Sequence, residues 1–350
     1  MRNLQFLSGL GNPEHYSPGF QCLTADAQLK EGMENHTLIL EDLSNGKTLI
    51  RQREGEKWFV KVGSFGNREQ TMLMGAICGD VAGSVYEWNN IKTILPEDRL
   101  IHPQGMLTDD SIMTLAVADG IRLALEKLPE NWMESPLHRR TVYDELIRSL
   151  RFFGRKYPNA GYGGSFRRWL KTSHPKPYNS WGNGSAMRAS YAGWVARSLA
   201  EAETLAELSA IITHDHPEGI KGAKVVAGMI YLLRTGASKE KALDYARKFY
   251  NLDFTLDEIR PGYRFDVSCQ GSVPQAIRAF AEGDSFSEVL ALAISIGGDS
   301  DTIAAIAGSV AEVIYPIPQQ IRSQVVRKMD DFQKQVYMDA VDFAWRYQVP

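Results

Sequence analysis

From residue 71 onward the chain keeps returning to one pattern, apolar residues three or four apart, broken by Gly or Pro. The pattern runs through DSIMTLAVADGIRLALEKL (110–128), VYDELIRSLRFFGRKY (142–157), SAMRASYAGWVARS (185–198) and TLAELSAIITH (204–214). It resumes in GIKGAKVVAGMIYLLRTG (219–236), SKEKALDYARKFYN (238–251) and VPQAIRAFAEG (273–283). SFSEVLALAISIGG (285–298) and TIAAIAGSVAEVIY (302–315) close the series. Such spacing gathers apolar side chains on one face of a helix, and Gly or Pro ends one helix before the next begins. No strong alternating strand pattern lies among these segments. The body is therefore expected to be all-α, a bundle of roughly ten helices that bury their faces against one another.

Residues 1–70 are written in another style. Only TADAQLKEGM (24–33) has helical character, among scattered Gly and Pro. HTLILEDLSNGKTLIRQREGEKWFVKVG (36–63) holds Asn45-Gly46, the preferred two-residue hairpin turn, between TLIL and TLIR. A second turn fits at Glu54-Gly55-Glu56. The expectation is a flexible arm and a small β-meander, marginal by itself. That divides the chain into an N-terminal extension, 1–70, and a helical domain, 71–350. A length of 350 residues, 44% of them hydrophobic, allows this combination of a large core and a small appendage.

Several function classes drop out. A net charge of -3 does not suit a nucleic-acid binder. The three cysteines are widely spaced, and no CxxC or HExxH occurs, so neither a disulfide framework nor a zinc site is expected. The first residues lack a signal-peptide core, and no apolar run reaches membrane-spanning length. The chain reads as cytoplasmic, with no membrane or nucleic-acid partner.

Two acidic knots carry the chemistry. MLTDDSIMTLAVADG (106–120) places Thr108, Asp109 and Asp110 at the head of an apolar helix. ISIGGDSDTIAAIAGS (294–309) places Asp299, Asp301 and Thr302 at the head of another. Helix starts favour Asp, Ser and Thr, which cap the free amides and meet the positive end of the dipole. One cap takes one side chain, so each knot leaves carboxylate charge over. Carboxylates beside a buried helix need a positive partner. Oxygen donors from Asp and Thr suit a hard cation, Mg²⁺ or Mn²⁺. Brought together, the knots hold two metals, and a two-metal site can orient and activate a water. GAICGDVAGSVYEWNN (75–90) adds Gly75, Gly79 and Gly83 around Asp80, small residues that let helices approach closely. Glu87 follows just past the expected helix end; without context it would be a solvated surface acid.

Two glycine-rich stretches, AGYGGSFRRWL (160–170) and YNSWGNGSAMRAS (178–190), each run into a helix and offer free amides to phosphate. Neither matches a P-loop or dinucleotide fingerprint. Trp181 in the second suits stacking on a base or ribose, and suits a core anchor equally. THDHPEGIKGA (213–223) sets His214 and His216 at a helix end. With no further soft ligand nearby, contact with an anionic substrate fits them better than a metal.

Together these residues resemble the ADP-ribosylglycohydrolase family over roughly 72–345. GDVAGSVYE looks like the family's first helix and its following Glu, LTDD and GGDSDT like its two metal motifs, SWGNGSAMR like its substrate loop, and THDHPEGIKGA like its His-bearing loop. The resemblance implies an orthogonal all-α multi-helix bundle with a binuclear Mg²⁺ or Mn²⁺ centre. It implies hydrolysis of the glycosidic bond between ADP-ribose and an acceptor on a modified protein. Carried over, Thr108, Asp109, Asp110, Asp299, Asp301 and Thr302 would ligate metal. Glu87 or Asp110 would move the proton. Gly163, Gly164, Trp181, Gly182, Asn183, Gly184 and His214 would hold the ADP-ribose. The transition state would have oxocarbenium character.

The extension lies outside the family core. It resembles the arm of bacterial immunity proteins of this family, which enters the active site of an ADP-ribosylating toxin. On that reading residues 1–70 bind an ADP-ribosyltransferase toxin, and arginine is the favoured acceptor. The competing readings are a non-catalytic toxin-binding protein and a hydrolase of another ADP-ribose derivative.

Overall fold

The computed structural model describes residues 71–348 and, within 1–70, only the backbones of four short strands. These are β1 (Gln5–Leu7), β2 (Leu38–Asp42), β3 (Thr48–Glu54) and β4 (Lys57–Gly63), paired antiparallel in the order β1-β4-β3-β2. The turns between these strands, and most of the arm expected within 1–70, lie outside the described residues. Residues 1–69 with 330–335 group as one unit, and 70–329 with 336–350 as the other.

The second unit is helical, as the periodicity requires. Its helices are α1 (Met74–Gly83), α2 (Asp109–Leu125), α3 (Pro136–Lys156), α4 (Gly164–Lys171), α5 (Ser190–Val195), α6 (Leu199–Ile211) and α7 (Pro217–Arg234). Then come α8 (Lys239–Arg247), α9 (Leu256–Ile259), α10 (Cys269–Glu282), α11 (Phe286–Ser295), α12 (Ser300–Ala311) and α13 (Gln319–Val326). The last helix, α14 (Asp331–Tyr347), has its greater part in this unit. Among the described residues no helix is long and apolar enough to cross a membrane.

Hydroxyl caps set many of the starts. Ser135, Ser198, Ser238 and Ser285 each accept a hydrogen bond from a first-turn amide. These caps begin α3 and α6 several residues before the apolar period makes them visible. The segment 185–198 behaves differently. Residues 183–185 make a 3-10 turn, and only Ser190–Val195 is α-helical.

One pairing places the site. Every residue of α1 and of α12 is buried, and the two helices pack at backbone distance. A Cβ at Gly75 would meet the Gly308 carbonyl, at Gly79 the Ala304 carbonyl, and at Gly83 the backbone of Ser300 and Asp301. Only glycines permit that approach. α1 has no side-chain cap of its own. Instead Glu312, at the far end of α12, accepts from the Gly75 N–H at 2.8 Å.

Candidate metal centre and its cavity

The close pairing of α1 and α12 puts Asp80 beside Asp301, and α2 completes the cluster. Asp80 Oδ2 accepts from the N–H groups of Thr108 (2.8 Å) and Ser111 (3.0 Å) and from the Ser111 hydroxyl. Its Oδ1 accepts from Thr108 Oγ1 at 2.7 Å. Asp80 thus fastens the start of α2 onto α1, and it takes the Thr108 proton. That leaves the Thr108 oxygen with lone pairs for a cation, the work of an outer partner that orients a ligand.

Capping does not account for either knot. At α2 the cap is Thr108, which accepts from Asp110 N–H at 3.3 Å, so Asp109 and Asp110 are left over. At α12 Asp299 occupies the cap position but its side chain makes no capping bond. Asp299 Oδ2 accepts instead from Asn183 Nδ2 at 2.7 Å. The turn before it runs through Gly297 and Gly298 at φ +69° and +75°, which favours glycine at both. Thr302 Oγ1 donates to Asp110 Oδ2 at 3.1 Å and so ties the two knots together.

The carboxylates form two overlapping triplets, Asp80–Asp110–Asp301 and Glu87–Asp299–Asp301. Within each, oxygens lie within 4.8 Å of one another, and Asp301 belongs to both. Asp109, expected among the ligands, is in neither triplet but lines the same cavity. Burial, reinforced by neighbouring carboxylates, pushes Asp109 up to about 7 and holds Asp110 and Asp301 well above the usual range. Burial also lifts Asp80 to about 6, against its four hydrogen bonds, and Glu87 to about 7, with the Asp299 charge adding to it. Among the described residues no ion pair reaches any of these acids. Asp110 Oδ1 is buried without a hydrogen-bond partner. Oxygen-only donors, a shared central carboxylate and uncompensated charge fit a pair of hard divalent cations.

The cluster opens into a cavity of about 550 Å³. Gly163, Gly164, Gly182, Asn183, Gly184 and His214 all line it, together with Glu87, Asp109, Asp110, Asp299, Asp301 and Thr302. Thr108 is not on the wall; it sits behind, bonded to Asp80. Trp181 is not on the wall either. Its carbonyl accepts from Cys269 N–H at 3.0 Å in a short bridge beside Gly182 and Ser268, and its side chain is exposed. His214 is buried, and burial plus the Arg188 charge drives its pKa well below the usual range, so the imidazole is neutral. Arg188 donates to Thr213 Oγ1 at 2.8 Å, and that oxygen lies 2.7 Å from His214 Nδ1. His216 is used otherwise: its Nδ1 accepts from Glu218 N–H at 3.1 Å and caps α7.

Sequence reasoning left Asp80, Ser111 and Arg188 out of the site. Asp80 and Arg188 stand inside the quoted motifs GDVAGSVYE and SWGNGSAMR. A buried Asp in a glycine-spaced helix, and an Arg in an otherwise apolar turn, were the available signals.

The sequence profile of the ADP-ribosylglycohydrolase family matches residues 64–345. The chain belongs to the ADP-ribosylglycohydrolase family. Family relatives include the Mus musculus ADP-ribosylhydrolase ARH3, 26% identical over 316 residues, covering 72% of this chain and 85% of the relative. The ADP-ribosylarginine hydrolase Tri1 of Pseudomonas putida (strain GB-1) is 25% identical over 277 residues, covering 72% and 71%. A solved structure described as an ADP-ribosylglycohydrolase-related protein complex has a TM-score of 0.55 at 24% identity, covering 80% of this chain and 99% of the other. That likeness shows a shared helical fold.

Proposed function

We propose that this chain is a divalent-cation-dependent ADP-ribosyl hydrolase that removes ADP-ribose from modified protein side chains, with arginine as acceptor. The observation that carries the reading is the pair of carboxylate triplets sharing Asp301 at one cavity. Membership of the family and the relatives named above support the reaction class. The arginine acceptor rests on the likeness to Tri1 and on the acidic surroundings, which favour a cationic leaving group.

Thr108, Asp109, Asp110, Asp299, Asp301 and Thr302 would hold two Mg²⁺ or Mn²⁺ ions. When bound, such cations supply Lewis acidity and lower the pKa of a water. The chain does the rest. Asp80 orients Thr108, and Asn183 orients Asp299 through its amide. Gly163, Gly164 and Gly184 offer backbone amides to the diphosphate, the Gly182 and Asn183 amides being engaged by Ser180 Oγ and the Val267 carbonyl. Neutral His214, set by Thr213 and Arg188, can donate to an anionic oxygen without bringing a second charge. Glu87, half-buried at the cavity, is placed to carry the proton between water and leaving group.

The test is ADP-ribose release from arginine-modified and serine-modified proteins, with Mg²⁺, with Mn²⁺ and with EDTA. Cation-dependent release from the arginine-linked substrate is expected. Release from the serine-linked substrate alone would overturn the acceptor, and release from neither would overturn the hydrolase.

A further inference from the structure

We infer that Trp88 and Phe265 form an aromatic seat for the acceptor, shaped for the planar cation of an arginine-linked substrate; this rests on the hydrolase reading above. The two rings stack with centroids 5.1 Å apart and 20° between their planes. Both line the cavity. Yet Trp88 is 78% exposed and Phe265 42%. Trp88 lies just after α1, and Phe265 lies between α9 and α10. Two separate segments thus leave a large apolar side chain in solvent at the same opening. Such exposure beside a concave polar site marks a surface that a ligand covers.

Its position selects the occupant. Trp88 directly follows Glu87, which groups with Asp299 and Asp301, so the rings stand next to the carboxylates. An adenine gains from stacking but brings no positive charge to meet the carboxylates, and a diphosphate is repelled by them. A guanidinium gains from both, since it stacks on an aromatic face and pairs with a carboxylate. A serine-linked substrate brings neither a flat group nor a charge at that point. The pair would therefore distinguish acceptors without touching the ADP-ribose.

The experiment uses Trp88→Ala, Phe265→Ala and Trp88→Phe in the full chain. The exposure of both rings makes these changes safe for the fold, which thermal melting checks. The readouts are kcat and KM on an ADP-ribosylarginine peptide with Mg²⁺, and the affinity for free ADP-ribose by calorimetry. Each Ala variant should raise KM about tenfold while the ADP-ribose affinity stays within about twofold. Trp88→Phe should recover most of the loss, because an aromatic face remains. Equal losses in ADP-ribose affinity would place the rings under the adenine and overturn the seat. Unchanged KM in both Ala variants would overturn it too. A wild-type chain inactive on the arginine-linked peptide would overturn the arginine acceptor and the seat together, whereas an active wild type with unaffected variants would overturn the seat alone.

Discussion

Asp80 and Asp110 show how one cluster can contain acids with opposite duties. Asp80 is fully buried, and its oxygens are taken by donors from Thr108 and Ser111. Asp80→Ala would strand those donors in the core. We expect a loss on the order of 3 kcal/mol in the metal-free protein, read by urea denaturation. Asp110 has an oxygen with no partner and stands among like charges. Asp110→Ala should therefore leave the metal-free melting temperature equal to the parent's or above it. It should also abolish Mn²⁺ binding by calorimetry and cut ADP-ribose release more than about 100-fold. Sequence alone ranked these two residues by their motifs. LTDD announced Asp110, because a carboxylate in excess of a cap is visible in one line of text. The role of Asp80 depends on donors from residues 108 and 111, and a one-dimensional pattern does not show which side chains consume which oxygens.

At the scale of elements, the site depends on how closely α1 approaches α12. Gly79→Ala would drive a methyl into the Ala304 carbonyl. Backbone cannot step aside as a flexible side chain can. The substitution should cost on the order of 2 kcal/mol and weaken cation binding, because the helices carry Asp80 and Asp301 apart as they separate. Denaturation and Mn²⁺ titration on the same variant check both effects. The glycine spacing in GAICGDVAG predicted close helix approach, but not the identity of the partner. The cap of α1 was equally hidden, since Glu312 lies 237 residues from Gly75. Helix existence was legible wherever the apolar stripe was long. Boundaries were less so: α10 begins at Cys269, where Ser268 caps the Gly271 N–H, and it runs through Pro274 at its sixth position although that proline removes one interior hydrogen bond. Short α4 and α9, with few turns over which a period can show, gave no comparable signal.

For the whole molecule, the carboxylates couple stability to pH and metal. Asp80 at about 6 and Asp109 at about 7 lie above the ordinary 3.8, so between these values the folded state keeps protons that the unfolded chain has released. Stability from this source is fully present below the ordinary value and is lost as pH rises through the folded values. In EDTA the protein should therefore lose stability from about pH 4 to about pH 7. Saturating Mg²⁺ should flatten or reverse that slope, since a cation replaces the protons. At about 100 times its Kd each bound ion would add about 2.7 kcal/mol. Calorimetric melts with and without metal across this range decide the matter.

The tie between Thr302 and Asp110 spans 192 residues of chain. Synthesis proceeds from one end, so the first knot exists long before the second is made. A nascent chain that has released α2 but not α12 presents half a cage to the surrounding magnesium. Both triplets include Asp301, so on the proposed cation-dependent reading neither is complete until α12 has been made.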